Sequence, residues 1–433
     1  MSGEPARALV LGAGGLLVLA GSVLVRVLTP APLEAWRLHQ LLLVVIGVGW
    51  IAGLAVLTRG SATRAALGWV WVVALAGRLA FVASEPNGDV HRYLWEGRVV
   101  LAGENPYARA PDDPALAYLR RPEDGRVNHP EWTAIYGPAA LAAFAVTVAI
   151  GGPSVEAWKL AMVVTDLAAL AALALLLRRL GKPAGWIVGY AWHPLVLAMV
   201  AGEGHLEPLV VLPLALALAC VHGARPAGAG VALGLAILVK PTAVVWAPLL
   251  AHRDGRAPGR VLVAVAAGAL TVGLGVLAFA DAGWGLVESL ARFGREMRFG
   301  DFPTLFLGDA VAPPMRLAAG GAVLVGLAAL LVRSTMVPER QALLLAGAWI
   351  LVSPTVHAWY GVPLAYLACT VGASAWWVLP CSLVAQGETA AIERATGHWA
   401  EPGWTRAVVY GPLVLAAALS VGARGRLGRE RKR

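Results

Sequence analysis

The sequence predicts an all-α polytopic membrane protein, and three observations lead there. Of the 433 residues, 58% are hydrophobic and only 14% charged, where a soluble domain carries about 25% charged residues; the mean hydropathy is +0.69. Apolar runs such as 8–28, 41–57, 155–177 and 260–280 reach the roughly 18–20 residues that take a helix across a hydrocarbon core. Basic residues, finally, collect in short loops between these runs, which is how membrane orientation is encoded.

Taken in order, 8–28 lacks a small-residue cleavage site and precedes further spans, so it reads as an anchor helix and not a removed signal. Spans 41–58 and 64–84 follow, then a long polar segment, 85–133. The loops containing Arg59 to Arg64, "RRLGK" (178–182), Arg225, "HRDGRAPGR" (252–260) and Arg333 to Arg340, with the basic tail 422–433, are assigned to the cytoplasm. That assignment puts 85–133 and 282–315 on the extracytoplasmic side. It holds only if "IYGPAALAAFAVTVAIGG" (135–152) is a membrane-associated helix that returns to the outer face.

The segment 227–251 has cytoplasmic signals at both ends and Lys240-Pro241 at its middle, so a broken re-entrant hairpin is expected. Irregular backbone at membrane depth is tolerated only beside protein or a water-filled cavity. The remaining spans fall near 183–200, 206–221, 316–332, 341–356, 358–372, 374–385 and 404–421, for about 11–13 in one domain covering 1–433.

A net charge of +9 in a soluble protein points to nucleic acid, but here six of the basic residues lie in the tail "RGRLGRERKR" and others punctuate loops. No nucleic-acid partner is expected. Cys220, Cys369 and Cys381 sit in apolar segments with no CxxC pattern, as core residues do. Neither an HExxH metal spacing nor a phosphate-binding G-x-x-x-x-G-K loop occurs; no cofactor is expected, with a divalent metal left open.

The chemistry-bearing residues gather on one face. On a helix, Asp89, Arg92, Tyr93 and Glu96 share one side by their i, i+3, i+4, i+7 spacing, and Arg98 follows. The same pattern suits a plain surface helix with an acidic first turn. "NHPEWTAIYGP" (128–138) brings back His129, Glu131 and Tyr136; "WHPLVLAMVAGEGHLEPL" (192–209) turns at Glu203, His205 and Glu207; "SPTVHAWYGVPL" (353–364) turns at His357, Trp359 and Tyr360. Inside the spans, Arg78, Asp166 and Lys240 stand out, since intramembrane charge is costly and usually has a task. Arg78 and Asp166 suit a mutual structural pair. Lys240, one of four lysines among 35 basic residues, suits either an anionic ligand or helix-end carbonyls.

These stretches, with "GDVHRYLWEGRVVLAGENPYARAP" and "VKPTAVVWAP", resemble in order and spacing the bacterial polyprenyl-phosphate-mannose-dependent mannosyltransferases of the glycosyltransferase C superfamily, over about residues 70–370. Tyr136-Gly137-Pro138 stands where the family usually has Tyr-Pro-Pro, and Trp95-Glu96-Gly97 where relatives have Trp-Asp-Gly. The resemblance implies a glycosyltransferase C-type fold with amphipathic helices on the outer surface of a bacterial plasma membrane. It also implies a polyprenyl-phosphate sugar donor, a glycan or glycolipid acceptor, and a catalytic acid in the first large outer loop. Asp89 is then the expected base, with Arg92, Tyr93, Glu96, Arg98, Glu207, Lys240 and His357 around the substrates. A phosphate monoester leaves without a general acid and needs only cationic stabilisation, so one carboxylate with scattered cations suffices for inverting transfer. A lipid-linked-saccharide flippase or transporter is the alternative, and would string its charges along a path through the spans.

Overall fold

The structure is a computed structural model that describes residues 4–28, 32–58, 60, 62–252, 258–307, 311–372, 375–396, 398 and 400–430. Arg59, the loop residues 253–257 and the last residues of the basic tail, 431–433, lie outside the described residues. Those described form helices and turns, with a lone bridge between Phe299 and Thr355 in place of any β-sheet. The chain begins with α1 (Glu4–Val27), α2 (Pro32–Leu57), α3 (Arg64–Val82), α4 (Gly88–Leu101), α5 (Pro138–Gly151) and α6 (Val155–Arg179).

Six of the described helices are long and apolar enough to span a membrane, and one bent pair adds a seventh candidate. Six shorter apolar helices accompany them, of which Pro208–His222, Ala358–Val371 and Thr405–Leu419 fall at three of the remaining expected spans. Proline explains the short pieces. The stretch read from sequence as one span, 183–200, breaks into Ala184–Ala191 and Pro194–Gly202 with a 51° bend, because the residue before a proline is pushed out of the α region. Proline also opens Pro138–Gly151, Pro208–His222, Pro226–Val239 and Pro338–Val352, at the position where its missing N–H costs nothing.

The hairpin at Lys240 forms as expected. Pro226–Val239 runs up to Lys240, whose backbone is extended, and a 3-10 helix, Pro241–Ala251, runs back. Both ends meet one helix start: His222, just before the hairpin, pairs with Glu339, and His252 bonds Gln341 at 3.2 Å. The apex lies at the other end of the bundle, where Lys240 meets Glu207 at 2.5 Å. The return of α5 is observed too. Gly137, just before it, donates to the Val239 carbonyl at 3.1 Å beside the apex, and α6, just after it, starts where Lys159 donates to the Ser84 carbonyl at 2.7 Å. Start and finish therefore lie at the same end.

Close packing uses small residues. A Cβ on Gly14 would come 2.8 Å from the Gly49 carbonyl oxygen, so α1 and α2 cross at the distance that only glycines allow. Outward-facing Leu262, Leu270, Leu274, Val325 and Leu330 leave large apolar surface uncovered along two peripheral helices, as expected for surface facing lipid.

Candidate active site

Asn87 starts α4 by accepting the Asp89 N–H on its side-chain oxygen at 3.0 Å, which satisfies one helix-end donor. Asn87 is itself docked on the Glu203 turn: its N–H donates to the Glu203 carbonyl at 2.9 Å, and its amide donates to the Glu203 carboxylate at 3.1 Å. That turn comes directly after a π-helical stretch, Leu197–Gly202, a form frequent at functional sites because it re-aims the residues beyond it. Gly204 comes next with φ +82°, and a Cβ there would lie 2.8 Å from the Val90 side chain. Glycine supplies both the left-handed backbone and the close approach to α4.

Asp89 therefore projects from a fixed helix start. One carboxylate oxygen accepts from Asn128 Nδ2 at 2.6 Å, and the other lies 4.0 Å from His205 Nδ1. The side chain is 18% exposed, against 2% for Glu96 and none for Asp166. Of these three carboxylates, only Asp89 faces open space. That space is a cavity of about 560 Å³ walled by Asp89, Asn128, Tyr136, Glu203, Lys240, Arg298, His357 and Trp359, among others, within the size range of small-ligand sites.

Arg92 and Tyr93 also line the cavity, but the Arg92 guanidinium is largely committed to the protein. It pairs with Glu96 at 2.8 Å and donates to the carbonyls of Asn128 at 3.0 Å, His129 at 2.9 Å and Trp132 at 2.5 Å. These bonds hold His129 at φ 44°, a strained value for a non-glycine residue that persists only where surroundings over-determine it. Arg92 thereby sets the loop from which Asn128 reaches Asp89. Tyr93 stacks on Phe144 with ring centroids 4.7 Å apart, and burial keeps its phenol protonated well past the ordinary range.

Glu96 and Arg98 lie behind this wall. Burial raises the Glu96 carboxyl, with Arg92 opposing the shift. Arg98 pairs with Asp124, donates to the Leu119 carbonyl at 3.1 Å and covers the Trp95 ring. It braces the loop that follows α4, and it does not line the cavity.

Lys240 stands on the opposite side, paired with Glu207 and centred 4.5 Å over the Tyr360 ring. Glu207 is buried, and its second oxygen has no hydrogen-bond partner among the described residues. His357 lies in a row of rings: it stacks on Trp359 at 4.3 Å, and Trp359 stacks on His205 at 3.7 Å. Burial pushes the His357 imidazole down to about 3, so it is neutral and offers hydrogen bonding without charge.

Asn128, Arg298 and the tight Glu203–His205 turn are the parts that motif reading left without a role. Glu203 and His205 were visible as a polar pair in an apolar segment; Asn128 and Arg298 carried no such signal. Among the described residues, no three His, Cys, Asp or Glu side chains converge as a metal site.

A helical membrane bundle that collects a base-capable carboxylate, cations and aromatic rings around one cavity at one end has the form of a membrane glycosyltransferase. The chain belongs to the family described as Alpha-(1->6)-mannopyranosyltransferase, whose N-terminal domain matches residues 6–253. It is a mannosyltransferase of the glycosyltransferase C type. No match is found among curated proteins. The matched region contains Asp89, Glu203, His205, Glu207 and Lys240, while Arg298 and His357 lie beyond it.

Proposed function

We propose that the cavity transfers mannose from a polyprenyl-phosphate donor to a hydroxyl of a glycan or glycolipid, on the extracytoplasmic side, by single displacement with inversion. The observation that carries the reading is the half-open Asp89 carboxylate, held by Asn128 and sharing one cavity with Lys240 and Arg298. Asp89 takes the hydroxyl proton as general base. The leaving phosphate, already a good leaving group, needs positive charge and no acid; Lys240 and Arg298 supply it. Tyr93, Tyr136 and Trp359 give the sugar aromatic walls. A cavity at membrane level suits a donor whose lipid stays in the bilayer, and charges gathered at one end favour transfer over transport.

The test is incubation of membranes with radiolabelled polyprenyl-phosphate mannose and a crude acceptor pool, comparing the protein with Asp89→Asn. Asp89→Asn keeps shape and should lower transfer by roughly 10²–10⁴ at unchanged protein level. Sidedness is read separately, in a background without Cys220, Cys369 and Cys381. An impermeant maleimide on intact cells should label Ala115→Cys and leave Leu180→Cys unlabelled; the reverse pattern would turn the donor-side assignment over.

A further inference from the structure

We propose that His205 is a positioning residue that draws the proton from Asp89 and is held, once charged, by Glu203, making the base a three-residue relay. This rests on reading Asp89 as the general base. His205 is 1% exposed, yet both ring nitrogens point at carboxylates: Nε2 lies 3.2 Å from Glu203 Oε2 and Nδ1 lies 4.0 Å from Asp89 Oδ2.

A carboxylate only accepts, so the Glu203 contact assigns the proton of the neutral ring to Nε2. Nδ1 then turns a lone pair toward an ionised Asp89. Two acceptors do not bond, which accounts for a gap longer than any hydrogen bond. A proton arriving on Asp89 reverses that contact, from lone pair against lone pair to O–H donating to N.

Every side of the imidazole is fixed. Trp359 stacks on it with 22° between the rings, Gly204 lets its turn approach α4, and Asn87 ties Glu203 to the start of α4. The charged and titratable groups around it are Glu203 and Glu207 on its own turn, Asp89 on α4 and His357 beyond Trp359, with Lys240 at the hairpin apex and Lys159 on α6. Lys240 is engaged by Glu207 and Lys159 by the Ser84 carbonyl, so the groups pressed against the ring nitrogens themselves are carboxylates.

The step balances. The acceptor oxygen bonds to the anomeric carbon while the bond from that carbon to the phosphate oxygen breaks, leaving its electron pair on phosphate. The hydroxyl proton passes to Asp89 Oδ2 and on to His205 Nδ1, giving an imidazolium between two carboxylates.

The experiment measures kcat, donor KM and the pH–rate profile in membranes with radiolabelled polyprenyl-phosphate mannose, for the unmodified chain, Asp89→Asn, His205→Gln and Glu203→Gln. The His205→Gln amide still donates to Glu203 but cannot take a proton. Its kcat should fall roughly ten- to a hundredfold, with donor KM held within about twofold. Its acid limb should move, because the group that ends up with the proton is no longer an imidazole. Glu203→Gln removes the carboxylate that faces Nε2 and should lower kcat by less, again with donor KM held; this variant decides the matter if His205→Gln does not accumulate. Unchanged kcat, or a loss with the acid limb unmoved, overturns the relay. Full activity in Asp89→Asn would instead remove the reading on which the relay rests.

Discussion

Arg78 and Asp166 lie within the bundle with no exposed surface, while Asp89 and Lys240 lie at its end with 18% and 19% of their side chains open. The inner pair is met by protein groups on most sides, with Arg78 Nη2 alone of its nitrogens lacking a partner among the described residues. Arg78 Nε donates to Asp166 at 2.6 Å, its Nη1 donates to the Ala191 carbonyl at 2.8 Å, and Tyr190 donates to the other Asp166 oxygen at 2.5 Å. Ala191 is the last residue before the bend at His193-Pro194, so this cluster satisfies backbone that the broken helix leaves unpaired. The outer groups are held from one side only and present their remaining surface to a cavity. Buried charge alone thus does not mark a reactive site; charge anchored on one side and open on the other does.

The comparison breaks most visibly at the two aspartates. Asp89→Asn should abolish nearly all transfer while the protein accumulates normally, and Asp166→Ala should do the opposite. Loss of Asp166 leaves Arg78 buried without its counter-charge, a cost of about 3–5 kcal/mol, to be read as a fall in Tm and in monodisperse protein from detergent. Normal folding in Asp166→Ala would mean that the inner pair is not structural.

Next in size is Lys240→Met, which removes a charge-assisted contact worth about 1.5–3 kcal/mol; donor KM should rise roughly ten- to a hundredfold. Because this substitution also strands Glu207, the double variant Lys240→Met/Glu207→Gln sharpens the result. Recovery of KM in the double variant would make Lys240 the partner of Glu207 alone. His357→Ala should weaken donor use less, by roughly two- to tenfold, since a neutral imidazole offers an ordinary hydrogen bond. Equal effects from Lys240→Met and His357→Ala would contradict a neutral His357.

The smallest effect concerns pH and stability. His357 is held at about 3 in the fold against 6.5 when free, so the unfolded chain binds more protons between those values. Stability drains away as pH falls from about 6.5 toward 3, and is unaffected above that window. His357→Gln should flatten the decline in Tm between about pH 6.5 and 5; an unchanged slope would assign it to other groups.

Periodicity and charge parity were enough to read the helical class, the hairpin at Lys240 and the return of α5, because these arise from local composition. The cavity residues Asp89, Lys240 and His357 were legible through motifs. The division of labour among neighbours was not. Arg92 and Arg98 share a helix with Asp89 and carry the same kind of charge, yet Arg92 holds carbonyls 36 to 40 residues away and Arg98 braces against Asp124. Asn128 clamps Asp89 across 39 residues. Such partners are set by how the loop between α4 and α5 folds back on α4, which no helical period encodes. The bend within 183–200 was missed for a local reason instead: proline cuts that apolar run into two bent pieces without lowering its hydropathy.

Gly137 has a mechanical consequence. Its N–H bonds the Val239 carbonyl, and a Cβ there would fall 2.0 Å from the Leu238 carbonyl oxygen, so any larger residue must prise the two strands of backbone apart. The loop from which Asn128 reaches Asp89 and the hairpin tip that carries Lys240 are consequently riveted together at a single peptide. Pushing on one displaces the other, and the spacing between the two sides of the cavity is fixed by backbone before any ligand arrives.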